Sequence, residues 1–97
     1  MNKERLISEM KEKITPIIKA GGVSRSALFG SITRGEMGEN SDVDILVDMP
    51  EGKSLFDLVD LKMKLEEAVG RRVDLLTYKS IHPLLRENIE RELITIF

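Results

Sequence analysis

Ile7, Met10, Ile14, Ile17 and Ile18 recur at the spacing of one helix face, and Gly21-Gly22 closes the segment, so a first helix is predicted there. Pro16 falls inside it and removes a backbone donor, which predicts a kink or an early end near Lys13 to Thr15. Ser26-Ala27-Leu28-Phe29 is short, apolar and bounded by glycines, as a buried strand is. Ile32 to Met37 has room only for a short helix. The polar Gly38-Glu39-Asn40-Ser41 then resets the chain direction before Val43-Asp44-Ile45-Leu46-Val47 alternates as a strand. Asp48 to Gly52 reads as a loop. Ser54 and Asp57 form a capping-box start, and Leu55, Leu58, Leu61, Leu65 and Val69 make an apolar core stripe that stops at Gly70. Arg72 to Thr77 is a third strand, and Ser80-Ile81-His82-Pro83 opens a last helix carrying Leu85, Ile89, Leu93 and Ile96.

The predicted order, αβαβαβα, is an α/β fold with a small mixed sheet packed against helices. Residues two apart in a strand share a face, so Asp42 and Asp44 project together while Val43, Ile45 and Val47 point into the core. A whole helix joins the second strand to the third, the length that a parallel crossover needs, and this brings Asp74 to the same end of the sheet. An antiparallel first strand delivers Gly30-Ser31 to that end as well. Three carboxylates and a glycine turn are thus expected to converge.

Composition narrows the field. A chain of 97 residues is expected to be a single domain spanning 1–97, with little spare body for a substrate pocket. Hydrophobic residues at 41% and charged residues at 33% are globular values. The lack of cysteine removes disulfide, zinc-thiolate and thiol-nucleophile chemistry together, and is compatible with a cytoplasmic location. No apolar run approaches the ~20 residues of a membrane span, and the N-terminus has no signal-peptide core. A net charge of -2 with scattered Lys and Arg argues against strong non-specific nucleic-acid binding, which depends on neutralising phosphates.

Clustered carboxylates repel unless a cation neutralises them, and magnesium is the hard ion that takes a few carboxylates together with phosphate and water. Two such ions about 3.5 to 4 Å apart can clamp the attacking and leaving oxygens of an in-line displacement. Gly30 lets the backbone approach a phosphate, and Ser31 adds a hydroxyl and the amides of the short helix. Arg34 can reach phosphate or pair with Glu36.

In Gly30-Ser31-Ile32-Thr33-Arg34-Gly35-Glu36, Ser41-Asp42-Val43-Asp44 and Arg72-Val73-Asp74-Leu75-Leu76, the chain resembles the minimal nucleotidyltransferases of the DNA polymerase β superfamily. The likeness runs over nearly the whole sequence. It implies the nucleotidyltransferase fold, with Asp42, Asp44 and Asp74 as magnesium ligands and Gly30-Ser31 holding the triphosphate of ATP. It further implies that Asp74 helps to deprotonate the acceptor hydroxyl. Thr33 stands where many such proteins carry alanine. Many short members resemble antitoxins paired with a HEPN-domain toxin, some of which move AMP from ATP to a toxin tyrosine. No acceptor domain is evident, so the acceptor is expected on another molecule, and assembly with a partner or as an oligomer follows.

Plainer readings stand beside these. Asp42 can be a turn residue, Gly30 a turn glycine, and Arg34 with Glu36 a surface ion pair. Asp48 shares the face of Asp44 but lies about 13 Å along the strand, as a loop residue would. His82 before Pro83 reads as a cap, Tyr78 has no evident partner, and Lys62, Lys64, Glu66 and Glu67 read as a solvated face. Two other functions remain open: an antitoxin that neutralises by binding alone, and a transferase acting on a small molecule or an RNA end.

Overall fold

The computed structural model describes residues 2–36, 38 and 41–97. Three helices and four strands stand among them: α1 (Lys3–Ala20), β1 (Ser26–Phe29), β2 (Val43–Val47), α2 (Leu55–Val69), β3 (Val73–Thr77), α3 (Pro83–Arg91) and β4 (Ile94–Thr95). Two 3-10 turns, Gly30–Arg34 and Tyr78–Ser80, follow β1 and β3. The short helix expected over Ile32 to Met37 is the first of these turns. Its predicted end at Met37, and the Glu39-Asn40 part of the reversal, lie outside the described residues.

The strands form one sheet in the order β3-β2-β1-β4. β1 runs antiparallel to β2 and to β4, and β2 parallel to β3, as the connection lengths required. Val43, Ile45, Val47, Val73 and Leu75 face α1 and α2 and form the main core with Leu6, Met10, Ile14, Ile18, Leu61, Leu65 and Val69. On the opposite face a smaller cluster of Phe29, Leu46 and Ile81 packs against Tyr78, Ile89 and Leu93. This face also carries the even-numbered positions of β2, Asp44 among them.

Three expectations need correction. Of the two outcomes expected at Pro16, a kink or an early end, the early end does not occur: α1 continues through Pro16 to Ala20. Pro16 and Glu12, whose carbonyl loses its partner, are both exposed, so water satisfies the orphan, and burial of Ile14 and Ile18 offsets the ~3 kcal/mol cost of proline. The last helix stops at Arg91, and the residues after it form β4 instead of a further turn, with Ile94 opposite Leu28 and Thr95 opposite Ala27. Backbone bonds at Ser26 continue this pairing: Ile96 N–H donates to its carbonyl at 2.9 Å, and its own N–H donates to Phe97 O at 3.1 Å. Finally, Leu55 is 73% exposed and not core. At 100° per residue it lies at the margin of the Leu58-Leu61-Leu65-Val69 stripe, but as the first residue of α2 it stands at the end of the helix, beyond the packed turns. With Phe56 (86% exposed), Val59 and Met63 it forms a second apolar patch that no described residue covers.

Candidate active site

β2 and β3 pair in parallel with Asp44 directly opposite Asp74. Opposed residues of a parallel pair point to one face, and Asp42, two residues before Asp44, projects with them. The three carboxylates therefore stand at one end of the sheet, on the face away from α1 and α2. Asp42 and Asp74 are exposed, whereas Asp44 is half-buried.

Burial and the neighbouring carboxylates act in the same direction at Asp44. Burial, then the charge of Asp74, then that of Asp42, push its carboxyl up to about 6, against a weaker downward pull from Arg34. A carboxylate so placed asks for a cation. Among the described residues no three histidine, cysteine, aspartate or glutamate side chains close into a ready-made metal cage. Magnesium does not need one, because it keeps several waters and completes its shell with substrate phosphate. The donor set, three hard oxygen groups on one open face, fits that ion.

Gly30 follows Phe29, which pairs with Asp44 across β1 and β2. Its φ of +77° lies in the left-handed region. A Cβ there would overlap the Asp44 carboxylate and stand 3.0 Å from its Cγ. The bare glycine thus leaves room for the Asp44 carboxylate itself, a purpose additional to the phosphate approach read from the sequence. Thr33 fixes this turn, its buried hydroxyl donating to Gly30 O at 2.7 Å. Ser31 occupies the first turn of the 3-10 segment beside Gly30, half-buried. With only five residues, that segment offers a much weaker dipole than an α-helix would.

Arg34 ends the turn. Its Nε lies 3.3 Å from Glu36 Oε1, the expected pair, and its Nη1 donates to Glu92 Oε2 at 2.7 Å, a contact the sequence did not suggest. The hydrogen bond to Glu36 and the charge of Glu92 together raise the guanidinium further above its ordinary value.

Side chains outside the motifs also hold the site. Glu66, read as part of a solvated face, accepts a 3.0 Å hydrogen bond from the N–H of Val73 and so fastens the start of β3 next to Asp74. Arg71 Nη1 donates to Gly38 O at 2.6 Å, and Gly38 N–H donates to Ser41 Oγ at 2.8 Å, which ties the approach to Asp42. An acid on the last turn of a helix, seven residues before a strand, is too common a pattern to have drawn attention.

Other candidates fall elsewhere. Asp48 lies past the far end of β2, 3.5 Å from Arg25 Nε. His82 caps α3, its Nδ1 accepting from Leu84 N–H at 3.1 Å. Tyr78, which had no partner in the sequence reading, carries the Arg25 guanidinium 3.9 Å above its ring centroid, and burial raises its phenol. The pair borders a cleft of about 360 Å³ with Lys79 and Arg86. A second cleft, about 390 Å³, lies between α1 and α2 beside Pro16 and Lys53. Neither cleft includes a carboxylate of the triad.

With this geometry in view, similarity to known proteins is informative. Residues 3–96 match the model of the nucleotidyltransferase domain family. A protein of Methanocaldococcus jannaschii that bears the name of a protein adenylyltransferase is 54% identical over 90 residues, 93% of this chain and 97% of that one. The solved structure of a minimal nucleotidyltransferase superposes with a TM-score of 0.80 at 39% identity, over 97% of this chain and 95% of the other. A chain from a crystal structure of a toxin-antitoxin with AMP-PNP gives a TM-score of 0.79 at 25% identity, covering 90% and 72%. By its sequence and its fold, the chain belongs to the nucleotidyltransferase domain family and is a nucleotidyltransferase of the minimal type.

Proposed function

We propose that the protein transfers AMP from ATP to a hydroxyl of a partner protein, a tyrosine of a HEPN-domain toxin, and acts as the antitoxin of that pair. The observation that carries this reading is the β2–β3 register, which sets Asp74 opposite Asp44 with Asp42 two residues behind, and Asp44 itself against Gly30. The M. jannaschii relative's name supports protein adenylylation, and the toxin-antitoxin structure with AMP-PNP supports both the setting and the nucleotide.

Asp42, Asp44 and Asp74 would hold magnesium. Bound there, the ion supplies positive charge for the developing negative charge on the phosphoryl and pyrophosphate oxygens. Gly30 and Ser31 receive the triphosphate on open backbone, and Arg34 neutralises part of its charge. The acceptor oxygen attacks the α-phosphorus in line. The new O–P bond forms as the bond to the bridging oxygen of pyrophosphate breaks, and Asp74, exposed at the open side, accepts the phenolic proton. Two exposed apolar stripes, on α2 and at Leu84-Leu85 of α3, give a partner surface to meet.

Incubation with ATP, magnesium and the product of the adjacent toxin gene tests the reading by intact mass. One or more AMP increments on the partner are expected, and none with Asp42→Ala. An unchanged mass with every nucleoside triphosphate overturns it.

A further inference from the structure

We propose that Glu92 is a positioning residue that presents Arg34 to the phosphates, so that the C-terminal strand β4 sets the affinity for ATP. The inference rests on the reading of the site as a nucleotide site. β4 pairs with β1 in the register Ala27 to Thr95 and Leu28 to Ile94. Glu92 itself caps the C-terminus of α3, with φ -108° and ψ 9°, two residues before β4 begins. The edge strand that the sequence did not reveal therefore holds the chain beside β1 just after the carboxylate that meets Arg34.

The contact it makes there has hydrogen-bond geometry, Arg34 Nη1 to Glu92 Oε2 at 2.7 Å, between residues 58 positions apart in the chain. Glu36 holds Nε from another side at 3.3 Å. Glu92 also ends α3, its N–H donating to Ile89 O at 3.0 Å. It is thus anchored on both sides of its own backbone, by α3 before it and by β4 after it.

An arginine side chain loses substantial rotamer freedom when it is fixed on a ligand, and a guanidinium already oriented avoids part of that loss. The two contacts engage Nε and Nη1, and of the five N–H donors they leave both on Nη2 and one on Nη1 for an anion. As an ion pair alone the contact would matter little, because both side chains are well exposed, at 43% and 37%. Its value lies in orientation. Glu92 also carries negative charge that repels ATP through space, an effect of opposite sign. At about 0.15 M salt the screening length is ~8 Å, so that longer-range term fades while the direct contact persists.

The test uses the full chain at that ionic strength, with ATP binding measured by calorimetry in magnesium and transfer kinetics measured with the partner. Glu92→Gln is expected to raise both the Kd and the KM for ATP about fivefold, the factor that corresponds to the upper end of an exposed pair's coupling. Its kcat should stay within about twofold, and Arg34→Lys with Glu92→Gln should be no weaker than Arg34→Lys alone. Unchanged or tighter ATP binding by a folded Glu92→Gln protein overturns the inference, since Glu92 would then be a surface partner or a competitor for Arg34. Should that variant melt far below wild type, Glu92→Asp, which keeps the charge but withdraws it by one methylene, is read instead. A rise of about twofold in Kd supports the inference, and no change overturns it. Wild type that binds ATP without transferring AMP would refute the proposed function and leave this test intact, whereas wild type that binds no ATP would refute both.

Discussion

Asp44→Asn should stabilise the magnesium-free protein while it abolishes transfer, and the size of the gain should depend on pH. Burial, Asp74 and Asp42 lift the Asp44 carboxyl from an ordinary 3.8 to about 6. At ~1.4 kcal/mol per pH unit this corresponds to about 3 kcal/mol as an upper bound. Asp44 is only half-buried, so solvent screening reduces it to about 1 kcal/mol. Below pH 3.8 the group is protonated in both the folded and unfolded states, and the strain vanishes. As pH rises through 6 the folded state must hold the ion, and wild type gives up that stability. Asparagine has the same shape and no charge to hold. Thermal melts in EDTA at pH 7.5 and pH 4 should therefore show the variant about 4 to 8 °C above wild type at the higher pH and level with it at the lower. Carboxylates remote from Asp44 titrate alike in both proteins and cancel in the difference. Magnesium should raise the melting temperature of wild type more than that of the variant. A gain independent of pH, or a variant less stable than wild type at pH 7.5, would refute the reasoning that these carboxylates repel one another across β2 and β3.

Other consequences follow from the same geometry. Gly30→Ala has to hold alanine at a φ of +77° and overlap the Asp44 carboxylate, so a loss of about 2 to 4 kcal/mol is expected in chemical denaturation. In an Asp44→Ala background the overlap with the carboxylate is removed and only the 3.3 Å approach to Cβ remains, so the cost should fall to about 1 to 2 kcal/mol. Glu66→Ala strips the acceptor from Val73 N–H and should cost about 1 to 2 kcal/mol by urea melts, with kcat reduced because Asp74 is the next residue along β3.

Much of the site was legible because its physics is local or depends on connection length. The alternation of Val43, Asp44 and Ile45 fixes which side chains share a face, and the α2 crossover enforces a parallel β3, so the Asp44–Asp74 juxtaposition could be foreseen. Gly30 was singled out, but its contact with Asp44 depends on the β1–β2 register and is seen only in the fold. β4 was missed because a two-residue strand has no periodicity of its own; it exists because the edge of β1 offers unpaired backbone groups at Ser26. The Arg34–Glu92 contact depends on β4 and was hidden for the same reason. Glu66 read as solvated because helix periodicity says nothing about the strand N–H that waits beyond the helix end. Leu55 was grouped with the core because its helical angle lies near those of Leu58 and Val69, but it is the first residue of α2 and periodicity does not show that the end of the helix is left exposed.

The central claim is that Asp42, Asp44 and Asp74 form one metal-dependent centre for nucleotidyl transfer to a partner protein. It is tested most directly by mixing the purified chain with the proposed HEPN-domain acceptor and α-labelled ATP, with and without magnesium, for wild type and for each single Asp→Ala variant. The account predicts magnesium-dependent label on a partner tyrosine with wild type, and a loss of about a thousandfold or more in each variant. Label that persists in the Asp74→Ala protein, or in EDTA, would contradict it.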